Sequence, residues 1–323
     1  MTGASPLENR AEASVHSDLI GSVAVLLAAG CWGTSGVFVK FIAADTDISA
    51  LALAFWRDII TFLVLFTSIA VLRPAWLRVR RADLPWLVAL GFSLGVFHIF
   101  WNLGVFLSGA AVATVQQAAM PAIVAVAAWL IWRESLTWSK ALAIILTFAG
   151  TVLVSGFDLQ GETDLSVGGF LVGLGIPIMY AAWNLFGKKV RQNHNPFTTL
   201  TYAFGFGALV LLPLQLFTPQ PWPIQPSAGL WFAGLIVIAT IIPFSIYTFA
   251  LGRLPASVAT ILAMSEIAFV AVYAYVLLGE RLTASQILGA ALVVGGVMLL
   301  SWHRWRTTSR GRRMVDKQEA TGG

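Results

Sequence analysis

The sequence predicts an all-α membrane protein of ten transmembrane helices, arranged as two inverted five-helix repeats around a central cavity. Of its 323 residues 58% are hydrophobic and 11% charged, far from the roughly 25% charged expected of a soluble domain. The chain is also duplicated internally. At a fixed offset of 146, Ala110, Val112, Ala113 and Thr114 recur as Ala256, Val258, Ala259 and Thr260, and Glu134, Leu136, Thr137 and Ser139 recur as Glu280, Leu282, Thr283 and Ser285. The match runs without a gap from 107–155 onto 253–301.

A helix needs about 20 mostly apolar residues to cross about 30 Å of hydrocarbon. Ten stretches qualify as spans one to ten: 19–41, 50–72, 84–107, 110–131, 139–156, 168–187, 197–217, 227–251, 255–278 and 284–302. They divide the chain into a disordered cytoplasmic tail (1–18), a first repeat (19–156), an external linker (157–167), a second repeat (168–302) and a basic cytoplasmic tail (303–323). Segment 1–18 is polar with mixed charge and lacks the cationic start of a cleavable signal. Leu27-Ala28-Ala29-Gly30-Cys31 comes close to a lipoprotein cleavage site, but the apolar run continues past it, so Cys31 reads as a core residue. A single cysteine excludes an internal disulfide and any multi-cysteine metal site, and no cofactor is expected.

The net charge of +5 would suit nucleic acid, but the placement of the cations argues for membrane topology instead. With the N-terminus inside, the inner segments carry Arg10, Arg73, Arg78, Arg80, Arg81, Arg133, Lys140, Lys188, Lys189, Arg191, Arg253 and the tail from Arg304 to Lys317. The outer loops carry Asp45, Asp47, Asp158, Glu162, Asp164 and Glu280, with Arg281 as their clear cation. Cytoplasmic loops concentrate Lys and Arg. Both termini are therefore expected inside the cell membrane. The basic tail also suits anionic lipid headgroups.

Five spans per half is an odd number, so the second copy enters the bilayer in the opposite sense. Spans one and six add a shorter match, Trp32-x3-Gly36-x3-Lys40 against Trp183-x3-Gly187-x3-Arg191. Inverted repeats in membranes are a construction of carriers whose site lies between the halves.

A charge at the bilayer centre costs about 2.5–3.5 kcal/mol on insertion scales, so each one needs a reason. Glu266 lies mid-span in span nine and reads as a substrate-binding and proton-coupling carboxyl, against the plainer reading of a helix-to-helix hydrogen bond. Arg57 and Asp58 in span two point about 100° apart; Arg57 suits a substrate carboxylate, and Asp58 is a second coupling candidate. In span three Gly91, Gly95, His98 and Asn102 fall on one face, pairing close helix approach with two candidate polar ligands. The equivalent faces of spans four and nine place Gln117 and Glu266 on opposite sides of a cavity. Span six offers Pro177, Tyr180 and Asn184, and span eight offers Pro243 and Tyr247. Trp32, Trp101, Trp183 and Tyr247 sit inside spans, where an interfacial belt cannot explain them; they suit either a pocket wall or core packing.

The ten spans, the Trp32-x3-Gly36 of span one, the Phe55-Trp56-Arg57 opening of span two and the Glu134-x-Leu136-Thr137 and Glu280-x-Leu282-Thr283 elbows resemble an EamA-type member of the drug/metabolite transporter superfamily. The resemblance covers about residues 20–302. It implies a ten-helix bundle with a central cavity, helices five and ten at the back, and export of small metabolites or drugs. One departure stands out: where span four carries Pro121, span nine carries Ser265-Glu266 and no proline.

The expected activity is export of a small-molecule substrate, such as an amino acid or related amphipathic compound, by alternating access, with protons as the candidate coupling ion. The alternatives are a passive uniporter or channel and an intramembrane serine protease. Gly33-Thr34-Ser35-Gly36 has the form found around rhomboid nucleophiles, with His98 as the base. The bilayer is the expected partner, and span ten's Ala291-x3-Gly295 face suits a monomer or a homodimer.

Overall fold

The computed structural model describes residues 6–117, 119–120, 122–123, 138–154, 167–222, 224–250, 253, 262–263, 265–296 and 298–299, with backbone alone for 6–18. All regular structure among them is helical. Span one is a helix Pro6–Gly33 followed by Ser35–Asp45. It starts upstream of residue 19, so the backbone expected to be a disordered tail is helical from Pro6 onward. The break at Thr34 is held by its hydroxyl, which donates to the Cys31 carbonyl at 2.7 Å.

Span two (Ala50–Leu72) begins under Ser49, whose hydroxyl accepts from the Ala52 amide at 3.1 Å. Span three is Leu84–Ser108, ended by Gly109 at φ +90°, a conformation that favours glycine. Span four follows at once as Ala110–Gln117; Pro121 lies outside the described residues, as do the linker 157–166 and the tail 303–323. Spans five and six are Trp138–Val154 and Val167–Val190. Span seven, Pro196–Leu211, is capped by Asn195, which accepts from the Thr198 amide at 2.9 Å. Span nine is described from Glu266 to Leu278 and span ten over Ala284–Gly296. Among the described residues five helices are long and apolar enough to cross a membrane: Leu19–Asp45, Ala50–Leu72, Arg81–Ser108, Pro196–Phe217 and Pro226–Ala250.

Span eight is irregular for an identifiable reason. Pro243 has no amide hydrogen to return to the carbonyl one turn back. The helix Pro226–Ile236 therefore passes through a π turn, Val237–Ile241, before resuming as Ile242–Ala250. Within that turn the Thr240 hydroxyl donates to the Leu235 carbonyl at 2.7 Å, leaving its lone pairs free to accept.

The packing follows the duplication. Span three lies along span six, and its counterpart eight lies along span one; four meets six as nine meets one. Spans two and seven, and spans four and nine, pack on their own counterparts. That reciprocity is what a two-fold relation between halves requires, and it leaves the central region between them.

Small residues bring these helices together. A Cβ on Gly207 of span seven would lie 2.8 Å from Asp58 Oδ2, and one on Gly95 of span three would lie 2.8 Å from the Gly207 carbonyl. The seam joins spans two, three and seven at backbone distance.

Polar clasps close both ends. Between spans nine and ten, Glu280 accepts from the Ala110 amide at 3.1 and 3.3 Å, with Lys40 Nζ 4.0 Å away. This carboxylate caps span four and lies against Gly109, where a Cβ would fall 2.9 Å from it. At the opposite, basic end Asp83 accepts from Arg80 at 2.9 and 3.3 Å, from Asn193 at 3.2 Å and from His194 at 2.9 Å. It ties the turn between spans two and three to the turn between six and seven.

Gly207→Val is expected to destabilise the detergent-purified protein by about 1–3 kcal/mol, the usual range for overpacking, read as a lower thermal midpoint. Gly229→Ala, where nothing lies within 4 Å of the added carbon, should leave the midpoint unchanged. Asp83→Ala should lower the midpoint more than Arg80→Ala, because Asp83 joins both turns whereas the Arg80 side chain is 64% exposed.

Candidate functional site

Where the halves meet, a small cavity of about 30 Å³ is lined by Trp32, Ser35, Arg57, Phe97, Trp101, Gln117, Tyr180, Phe244 and Glu266. Spans one, two, three and four supply one wall and spans six, eight and nine the other. Each polar member arrives for a local reason. Ser35 follows the break at Thr34. Arg57 lies two turns into span two. Gln117 ends the described helix of span four, and Glu266 opens that of span nine.

Gln117 Nε2 donates to Glu266 Oε2 at 3.1 Å, with both residues buried. This bond crosses the interface between repeats at the position where their sequences diverge. Arg57, 3% exposed, donates through Nε to Thr240 Oγ1 at 3.0 Å. The acceptor is neutral, and its lone pair is available because the Thr240 hydroxyl hydrogen is donated to the Leu235 carbonyl. Among the described residues no ion pair involves Arg57 or Glu266, so both charges face the cavity without a carboxylate–guanidinium contact within 4.0 Å.

Aromatic rings form the rest of the wall. Phe244 meets Trp32 at 5.2 Å, Trp183 at 5.5 Å and Phe204 at 5.5 Å, each edge to face. Tyr180 stacks on Trp183 at 5.6 Å and on Phe97 at 5.2 Å. Such pairs contribute about 0.5–1.5 kcal/mol each beyond area burial. Phe244, one residue after Pro243, is the hub through which spans one, six, seven and eight meet.

Of the residues expected at the site, Glu266, Gln117, Arg57, Trp32 and Trp101 line one cavity. Trp183 and Tyr247 stand one layer back, Tyr247 against Trp32 at 5.1 Å. Asn184 turns onto its own helix, donating to the Tyr180 carbonyl at 2.9 Å. His98 and Asn102 lie on the face expected of them, but that face turns away from the cavity toward spans two and seven. His98 Nδ1 lies 2.5 Å from Asp58 Oδ1, both fully buried, and Asn102 donates to the Ala50 carbonyl at 3.3 Å. Asp58 is likewise set against Gly207 and not in the cavity lining. Among the described residues the Ser35 hydroxyl has no hydrogen-bond partner, and Ser35 lines the cavity while His98 faces away from it toward spans two and seven, so the serine–histidine dyad of the protease alternative is not assembled. Phe97 and Phe244 were not legible as site residues, since nothing distinguishes a pocket phenylalanine from a core one in an apolar span.

A larger groove of about 540 Å³ between spans one and eight is bounded by Leu19, Val23, Leu27, Ile246 and Phe249. Its apolar lining belongs to the bilayer-facing surface.

Comparison with known proteins agrees with this architecture. The profile of the EamA-like transporter family matches residues 19–156 and again 167–302, the two repeats. An uncharacterized transporter of Archaeoglobus fulgidus is 28% identical over 287 residues, covering 87% of this chain and 96% of its own. One from Bacillus subtilis is 28% identical over 288 residues, covering 87% and 94%. A probable amino-acid metabolite efflux pump of Salmonella typhimurium is 27% identical over 254 residues, covering 73% and 84%. A crystal structure superimposes with a TM-score of 0.63 over 91% of this chain and 99% of its own, at 18% identity, which supports the fold alone. With both repeats matched and the cavity lying between them, the chain belongs to the EamA-like transporter family: it is a membrane transporter and not an enzyme.

Proposed function

We propose that the protein is a secondary exporter in the cell membrane, with both termini cytoplasmic, which moves small amphipathic metabolites such as amino acids by alternating access coupled to protons at Glu266. The observation that carries this reading is the Gln117–Glu266 hydrogen bond across the repeats, inside a cavity lined by both halves. A site on that interface changes accessibility when the halves rock, and a carboxyl there is a group that can load or release a proton as it does so.

Charge supports the proton. Among the described residues the buried ionisable groups inside the spans are Arg57, Asp58 and Glu266 together with His98, Asp83 lying in the turn between spans two and three. With both carboxylates ionised and His98 neutral, this set is one positive charge short of neutrality. One proton closes the deficit, and uncompensated burial of an ion is costly by several kcal/mol. The cavity volume of about 30 Å³ favours a carrier over a channel, since it holds little more than a water molecule and must open to admit a metabolite. The amino-acid assignment draws on the name of the Salmonella typhimurium relative and on the pairing of a guanidinium with a carboxylate in one aromatic-walled space.

Proteoliposomes loaded with amino acids and placed under a pH gradient separate the parts of this reading. Wild type should show saturable efflux accelerated by the gradient, whereas Glu266→Gln should retain downhill flux and lose the acceleration. If Glu266→Gln keeps wild-type proton dependence, Glu266 is not the coupling group. Flux that never saturates would instead identify a channel.

A further inference from the structure

The cavity wall contains hydrogen-bonding groups with nothing to bond. Among the described residues, Nε1 of Trp32, Nε1 of Trp101 and Oγ of Ser35 are buried without a partner, on residues 6%, 3% and 4% exposed. Folded proteins satisfy roughly 90% or more of such groups, because an orphan carries its desolvation penalty uncompensated. Three around one small cavity, on spans one and three, call for a ligand.

The chemistry of that ligand follows from what these groups offer. An indole N–H donates and cannot accept, and a guanidinium only donates. Arg57 spends its Nε on Thr240, which leaves four N–H bonds of its fork. Ser35 can donate as well. The wall formed by Trp32, Ser35, Arg57 and Trp101 is therefore rich in donors and carries one positive charge. Glu266, its Oε2 engaged by Gln117, is the acidic acceptor of the same cavity.

Resting on the transport reading above, we propose that the substrate carries a carboxylate, and that the Trp32 and Trp101 indoles and the Ser35 hydroxyl are its specificity-determining donors beside Arg57. Two oxygens with four lone-pair directions suit several converging N–H and O–H groups, and bidentate contact with Arg57 fixes the plane. A dianion such as a phosphate monoester is disfavoured, because one guanidinium must balance two charges beside the Glu266 carboxylate. The opposed polarity of the cavity then orients a cationic amine toward Glu266 and a small apolar group toward Phe97 and Phe244. The aromatic residues thus act through their N–H edges as well as their faces.

The test uses full-length protein and three probe classes: L-leucine and L-phenylalanine, their amides, and the matching amines without a carboxyl group. Thermal shift of the detergent-purified protein measures binding, and proteoliposome flux measures transport. Acids should stabilise the protein and amides should not. Trp32→Phe and Trp101→Phe, which keep a ring and remove one N–H, should each weaken acid binding about 10- to 100-fold, the range expected for a hydrogen bond to a charged group. Ser35→Ala serves if a tryptophan variant fails to fold. Equal stabilisation by acids and amides, no stabilisation by acids, or a change under about 2-fold in the folded variants overturns the carboxylate assignment, because one lost bond to an ion should exceed that. Acid binding without flux would leave the assignment standing and sink the transport reading instead.

Discussion

Ionisable groups inside a bilayer-spanning bundle impose the constraint on which the rest of this structure depends. Arg57, Asp58, His98 and Glu266 are 3%, 0%, 0% and 6% exposed, so all four are largely withdrawn from the surface. Each is held by a partner on another span: Thr240 for Arg57, His98 for Asp58, Gln117 for Glu266. These partners come from spans three, four and eight, so satisfying the charges also sets which helices meet. Hydrophobic burial does little to hold helices together in lipid, where the surroundings are as apolar as the interface. Polar pairing and close glycine contact carry that task instead.

The π turn of span eight links sequence to site through one residue. Pro243 interrupts the regular ladder, the turn Val237–Ile241 absorbs the disruption, and Thr240 is left bonded five residues back with lone pairs to spare for Arg57. The same proline precedes Phe244, the hub of the aromatic cluster. A single helix irregularity thus positions both a polar and an apolar member of the cavity. The glycine seam acts in the complementary way. It lets spans two, three and seven approach until the Asp58 carboxylate lies against backbone, which leaves the Asp58–His98 pair sealed from the cavity and Arg57, one residue earlier, facing into it.

Much of this was legible in the sequence, for reasons that can be named. The span boundaries follow from apolar length, and span two is found at its expected residues, Ala50–Leu72. The opposition of Gln117 and Glu266 follows from the repeat, because the offset that maps one half on the other also maps the faces of spans four and nine. What periodicity could not supply was the identity of the neighbour. Gly91, Gly95, His98 and Asn102 do share a face, but a stripe with small residues and polar ones fits a helix seam as well as a cavity, and here the seam won. Ser35 stood out in the sequence only as part of a nucleophile-like motif: small hydroxyls occur throughout spans as packing residues, and an orphaned hydroxyl is recognisable as a cavity donor only once its surroundings are known.

The small size of the cavity has a consequence for binding. Its rings touch one another and, among the described residues, leave about 30 Å³. On the proposed transport reading, affinity in this aromatic-walled site is the difference between ring–ligand contacts and the ring–ring contacts that the ligand displaces.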